Sequence, residues 1–395
     1  MISKLPMINE LKQGIKGDVL HDEYSLGMYA TDASIYQIKP LAVVLPKDEA
    51  DVKKAVAIAR KHQVKILPRG GGTSLAGQTV AEGMVLDFSK YMNKILELNI
   101  QEKWVRVQPG LVRDELNAEL AKHGLLFAPD PATSSRANVG GMVGNNSSGT
   151  KSILYGKTVD HILAAKVLLA DGTDLLLEPL SPEAYQEKAQ NLTREGEIYR
   201  VFQETIQNNK EEIKRKFPKV MRRVGGYNLD EFVYTDRWNL AKLITGSEGT
   251  LAVTLEVKLN LELLPPHKSV AVVHFDDLLD AITAVQPMLL YNPSAVEILD
   301  RTVVHLSGEN LTTKQHCHFI EDDPAAILIV EFYGDTLEEV MDRPQKMIEQ
   351  LKQLSWICLS AFCRRKILRR CLDCSKKRPR SDAGHQRGKE TAAVY

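Results

Sequence analysis

Residues 68–78 read Pro-Arg-Gly-Gly-Gly-Thr-Ser-Leu-Ala-Gly-Gln. Three consecutive glycines remove every Cβ from the turn, so its backbone can take positive φ and come close to a ligand. The N–H groups of such a turn converge on a concavity suited to an anion. Arg69 adds positive charge, and Thr73 and Ser74 add hydroxyl donors. The chemistry this composition suits is the holding of a phosphate. A flexible connector has the same glycine content, but β-like residues fence the loop on both sides, Val64–Leu67 before it and Met84–Phe88 after it. Two nucleotide signatures are excluded. No Gly-x-Gly-x-x-Gly opens a helix, and the run from Gly144 to Gly149 misses the phosphate-loop pattern because Thr150 precedes Lys151.

Two later stretches share this poverty of side chains. Residues 129–149 contain four glycines, the amide pair Asn145–Asn146 and many small hydroxylated residues. A segment so short of core-forming residues earns a buried place when its backbone lines a ligand; a disordered loop is the competing reading. The ordered continuation through Tyr155–Ile162 weighs against disorder. The third stretch, Leu243–Val253, carries Gly246 and Gly249 and runs into an apolar strand reaching Leu261.

The elements that must position these turns follow from apolar patterning. Residues 1–36 are polar and weakly periodic, a lead-in of helix and loop. Leu41–Leu45 reads as a buried strand, and Asp48 as the cap of a helix with Val52, Val56 and Ala59 on one face. Strands are expected at Met84–Phe88, Ile95–Leu98 and Trp104–Val107, then a helix from Val112 to His123 that Gly124 ends. Asp171-Gly172 between apolar runs marks a hairpin. Tyr199–Phe217 is a charged amphipathic helix with a solvated outer face, and Arg222–Asn228 a mobile polar connection. Pro265-Pro266 marks a domain boundary. Beyond it, strand Val270–Phe275, helix Asp277–Leu290, strands Ala295–Leu299 and Ala326–Phe332, and helix Thr336–Leu354 suit a split βαβ, ferredoxin-like domain that lacks its closing strand. Arg301 reads as a charge at a helix start.

The chain of 395 residues is 44% apolar and 26% charged, ordinary for a globular protein. No apolar run approaches a membrane span, and the N-terminus lacks a secretory pattern. A cytoplasmic location is therefore expected, with membrane association at most peripheral. The net charge of zero conceals a split: from Arg364 onward there are eleven basic and three acidic residues. All five cysteines lie in the last quarter, an odd number that argues against a disulfide framework. Cys371 and Cys374 have redox or zinc spacing without a second pair. His316-Cys-His318 reads as a polar loop. The basic run could attract nucleic acid or anionic lipid, but an unstructured tail is the preferred reading; no nucleic-acid partner and no metal set are assigned.

The three glycine-bearing stretches, in this order, resemble the flavoproteins of vanillyl-alcohol oxidase type. Within that family the chain resembles the D-lactate, glycolate and D-2-hydroxyglutarate dehydrogenases, above all the bacterial forms that fuse a flavin domain to an iron–sulfur domain. The resemblance covers roughly residues 20–354. It implies an α+β chain: lead-in 1–36, a two-subdomain FAD-binding domain at 37–265, an incomplete ferredoxin-like cap at 266–354 and an atypical basic tail at 355–395. By resemblance, Pro68, Arg69, Gly70, Gly71, Gly72, Thr73 and Ser74 wrap the FAD pyrophosphate. Asp130, Pro131, Ala132, Thr133, Ser134, Gly141, Asn145, Asn146, Ser147 and Ser148 line the flavin and ribityl chain. Glu248, Gly249, Thr250 and Val253 close over the isoalloxazine and adenine side. The first loop has no histidine to tether the flavin, so FAD is expected to be non-covalent. The implied reaction removes the α-hydrogen of a D-2-hydroxy acid as hydride to flavin N5 and passes electrons to an iron–sulfur domain, quinone or cytochrome.

The departures lie toward the C-terminus. The family's Trp-x-x-Arg motif for the substrate carboxylate and its metal-binding Gly-Asp-Gly-Asn-x-His segment are both absent, so no catalytic residue is assigned. The basic tail stands where they are expected. A reading-frame shift or premature end is the expectation this raises, which would leave a catalytically incomplete, FAD-binding remnant as the alternative to an active dehydrogenase.

Overall fold

The computed structural model describes residues 5–315, 317, 319–353 and 359–363. The chain divides into two compact units after Leu264.

In the first unit, strands β1 (Asp18–Leu20), β2 (Ala42–Leu45), β3 (Ile66–Arg69) and β4 (Met84–Asp87) form a sheet in the order β1-β2-β4-β3. β2 and β3 both run parallel to β4, and β1 joins the edge antiparallel to β2. β2 and β4 are buried along their whole length, which suits their Ala-Val-Val-Leu and Met-Val-Leu-Asp sequences. The helix Glu49–Lys61 connects β2 to β3. Asp48 caps it, its side chain accepting from Asp51 N at 3.0 Å. The spacing of Val52, Ala55, Val56 and Ala59 aims one face at Val44, Met84 and Leu86. Buried Asp51 accepts from the N–H groups of Lys16, Gly17 and Lys47, each at 2.9 Å, and so pins the N-terminal segment. That segment was expected to be helix and loop only. It adds β1, because three residues suffice to satisfy an exposed sheet edge.

Strands β5 (Ile95–Asn99), β6 (Trp104–Val107), β7 (Leu125–Leu126), β8 (Ile162–Leu168), β9 (Asp174–Leu177), β10 (Val253–Asn260) and β11 (Glu262–Leu263) follow. Five of them make an antiparallel sheet in the order β5-β6-β10-β8-β9, while β7 and β11 pair as a separate two-stranded sheet. β10 alternates buried and half-buried positions, placing Val253, Leu255, Val257 and Leu259 on the core side. The helix Arg194–Lys216 is solvated on its charged face. Its other face buries Tyr199, Phe202, Ile206 and Ile213. Phe202, Phe232, Tyr185 and Trp238 stack there, edge to face, with ring centroids 4.8–5.8 Å apart.

The second unit is a sheet of β12 (His267–Phe275), β13 (Ala295–Asp300), β14 (Ala326–Gly334) and β15 (Leu359–Cys363) in the order β13-β14-β12-β15, every neighbour antiparallel. With the helices Leu278–Leu289 and Leu337–Gln353 this is the full ferredoxin-like sheet. The expectation that nothing after Ser355 closes it is therefore corrected: residues 359–363 pair with β12 from Val270 to His274. The run is short, and the basic composition that begins at Arg364 masks it in the sequence.

Candidate functional site

Within the first unit, all three glycine-bearing stretches line one open cleft. The first loop leaves the carboxyl end of β3, the end at which open α/β sheets bind ligands. Gly71 admits no side chain: an added Cβ would stand 2.2 Å from the carbonyl oxygen of Arg136. The first two stretches thus meet backbone to backbone. At Gly141 a Cβ would meet nothing within 4 Å, so a side chain there would fill cleft space. Among the described residues, the N–H groups of Gly71, Gly72, Thr73 and Ser74 donate to no backbone acceptor.

The three stretches are tied to one another. Asn145 Nδ2 donates to Ser74 Oγ at 2.9 Å. Residues 139–145 form a short helix, and its last carbonyls accept from the third stretch: Gly246 N to Val143 O at 2.8 Å and Glu248 N to Gly144 O at 2.9 Å. Glu248 and Gly249 are successive left-handed residues, with φ of 52° and 76°. This conformation costs free energy at a glutamate, and it turns the backbone along the cleft rim. Asn138, almost fully buried, donates to the Gly110 carbonyl, while its Oδ1 has no partner among the described residues. A ligand N–H or O–H would satisfy that oxygen.

Arg69 lines the cleft but serves another role besides charge. Its guanidinium donates to the carbonyls of Tyr29 (3.2 Å), Thr79 (2.9 Å) and Thr31 (2.8 Å) and lies 5.3 Å from the Tyr29 ring centroid. Burial lowers its pKa, with Asp87 and Asp32 pulling the other way. Tyr29 donates to Asp87 Oδ2 at 2.6 Å; burial and then that bond hold its phenol well above the usual range. Arg69 therefore braces the glycine loop against residues 29–31.

Of the residues expected at a cofactor, Pro68, Arg69, Gly70, Gly71, Gly72, Thr73, Ser74, Pro131, Thr133, Gly141, Asn145, Ser147, Glu248 and Gly249 line the cleft. Seven do not. Asp130 lies buried against Lys151 at 2.7 Å. Ser134 donates to Asp114 Oδ2 at 3.1 Å. Asn146 is fully buried and accepts from Val159 N at 2.9 Å. Thr250 Oγ1 donates to the Ser247 carbonyl at 2.6 Å, and Val253 packs into the core beneath β2 and β4. Ala132 and Ser148 lie outside the lining as well. Sequence reading missed Gln78, Thr79, Phe88, Pro109, Ala137, Asn138, Gly140, Met142, Gly144, Ile244, Ser247, Ala252 and Thr254, which all line the cleft. Nine of these lie within the three stretches themselves, Thr79 and Thr254 lie one residue beyond them, and Phe88 and Pro109 lie outside, brought to the cleft by the fold.

The connection at 222–228 is also more than a linker, since Arg222 and Asn228 bond into the loops on either side. Arg301 opens the helix Arg301–Glu309 as expected and bonds to the Asp323 carbonyl. His316, His318, Cys371, Cys374 and the basic run from Arg364 lie outside the described residues. Among the described residues no helix is long and apolar enough to cross a membrane.

Residues 40–176 match the family model for the FAD binding domain, and residues 264–360 match that for the C-terminal domain of FAD linked oxidases. The chain is 37% identical over 350 residues to the D-2-hydroxyglutarate dehydrogenase of Pseudomonas putida, covering 86% of this chain and 34% of the relative. It is 29% identical over 319 residues to the mitochondrial D-lactate dehydrogenase [cytochrome] of Arabidopsis thaliana, covering 79% and 44%. The chain spans about a third of the length of the D-2-hydroxyglutarate dehydrogenases it matches. Among solved structures, p-cresol methylhydroxylase superposes with a TM-score of 0.67 at 15% identity, covering 96% of this chain and 70% of the other. Alkyldihydroxyacetonephosphate synthase gives a TM-score of 0.64 at 21% identity, covering 90% and 61%. At these identities the superpositions establish the fold.

Proposed function

We propose, for a chain that belongs to the FAD-linked oxidases of the vanillyl-alcohol oxidase type, that its cleft holds FAD non-covalently and that the activity it serves is oxidation of a D-2-hydroxy acid to the 2-oxo acid. The observation that carries this reading is the meeting of three side-chain-poor stretches on one cleft beside four backbone N–H groups that donate to no backbone acceptor among the described residues. Residues 71–74 would hold the pyrophosphate, because clustered N–H donors neutralise its charge without needing a long helix. Asn138, Asn145 and Ser147 offer amide and hydroxyl groups for the polar edges of the cofactor. Bound there, FAD would supply the hydride acceptor for the oxidation. The glycines keep side chains away from it, and the brace by Arg69 fixes the first loop in place.

The relatives' names point to D-2-hydroxyglutarate first, with D-lactate and glycolate as neighbouring substrates. An electron carrier as acceptor, whether iron–sulfur domain, quinone or cytochrome, and a cytoplasmic location complete the reading. The test is an anaerobic absorbance titration of the purified, FAD-loaded chain with the three acids. We expect a yellow protein whose flavin is released by acid precipitation and is bleached most readily by D-2-hydroxyglutarate. Bleaching by none of them would leave a flavin-binding chain without dehydrogenase activity. A folded sample that stays colourless with added FAD would remove the flavin reading too.

A further inference from the structure

The segment Met221–Asn228 grips two of the three cleft stretches at once. Arg222 donates through Nε to Ser152 Oγ at 2.6 Å and through Nη2 to the Gly149 carbonyl at 2.9 Å, just beyond the cleft-lining Ser147. Five residues on, the Tyr227 hydroxyl lies 2.9 Å from Thr250 Oγ1, next to the cleft-lining Gly249. The base of the segment is anchored independently. Arg223 bonds to the side chains of Asp230 and Asn228, and the Asn228 amide donates to the carbonyls of Lys242 (3.1 Å) and Thr245 (2.6 Å). Arg222 and Tyr227 themselves do not line the cleft.

We propose that Arg222 is a positioning residue for the cofactor cradle. It acts through the turn at residues 149–152, whose opposite side is held by the Lys151–Asp130 ion pair. Hydrogen bonds from a charged donor are the stronger kind, and two of them from one planar group fix orientation as well as distance. With the turn gripped from both sides, Asn145 and Ser147 keep their places on the cleft wall. Tyr227 does the same for the third stretch through Thr250. Arg222 touches no ligand and contributes no chemistry.

The proposal rests on the cleft being the FAD site, and its test separates the two. FAD affinity is measured by flavin fluorescence quenching on the full chain, its R222M and S152A variants, and the double variant. We expect S152A to weaken FAD by about tenfold, the factor that corresponds to one lost charged hydrogen bond, and R222M, which also loses the bond to the Gly149 carbonyl, by more than that. The double variant should be no worse than R222M, because both changes remove the same bond, and R222K should recover part of the loss. FAD should also slow trypsin cleavage after Arg223 in the unaltered chain and fail to do so in R222M. A general loss of stability would lower the melting temperature without this coupling. Where R222M does not fold, S152A reads the same bond with a smaller change. Unaltered FAD affinity in R222M, or additive losses in the double variant, would overturn the proposal while the flavin reading stands. If the unaltered chain takes no FAD, both fall.

Discussion

The cleft of the first unit and the sheet of the second are built from opposite materials. At the cleft, backbone approaches backbone, and the critical positions are those where a side chain is missing, Gly71 above all. In the second unit, β12 and β14 are buried almost throughout, and packing on both faces comes from side chains: Ala271, Val273, Leu328 and Val330 in one cluster, Val270, Val272, Ile327 and Ile329 in another. A site made of absent side chains tolerates almost no addition, whereas a packed sheet mainly resists subtraction. The two regions should therefore fail in opposite ways.

The largest expected effect is at the cleft. In G71A the new methyl collides with the Arg136 carbonyl, a backbone atom that cannot swing aside. FAD affinity, read by fluorescence titration, should fall by about a hundredfold or more. Retained affinity would show that the two stretches separate easily and would end the contrast. Next comes L328A in the second unit. Leu328 is fully buried between Val273 and Ile298 on the neighbouring strands. Its truncation should cost about 2–5 kcal/mol of stability by denaturant unfolding, with FAD affinity unchanged. Smallest is an acid effect in the first unit. Asp18 accepts from Lys90 (2.6 Å) and Tyr91 (3.0 Å), and the Lys90 bond foremost holds its carboxyl below the usual range. A depressed folded pKa stabilises fully above the ordinary carboxylate value, near about 4, and is lost as pH falls through the depressed one. The melting temperature of D18N should therefore depend less steeply on pH below about 4, by a small margin because the pair is largely exposed.

The same contrast explains what the sequence could disclose. The glycine loop after β3, the Asp48 cap and the Asp171-Gly172 turn were legible because each depends on local backbone rules. The apolar strands of the second unit were legible for the same reason, since their patterning is continuous. Other features depend on partners far along the chain. Arg69 looks like a phosphate ligand in isolation, and only the fold brings Tyr29, Thr31 and Thr79 carbonyls to its guanidinium. The helix at residues 139–145 carries three glycines and little apolar rhythm, so its tertiary contacts decide it. Residues 222–228 show no periodicity because their side chains bond to two separate loops rather than pack on one face. β15 exists only because β12 offers a free edge.

β10 has a further consequence for how the polypeptide comes to be folded. It sits in the middle of its sheet, between β6 and β8, yet follows β8 by more than eighty residues. Until the ribosome has delivered Val253–Asn260, the two hairpins β5-β6 and β8-β9 have no strand to join them, and each exposes an unfinished edge. At ordinary elongation rates this interval lasts on the order of several seconds. Nascent chains halted before residue 253 should thus be the species most in need of a chaperone, and the long-range closure by β10 the slow step in completing the first unit.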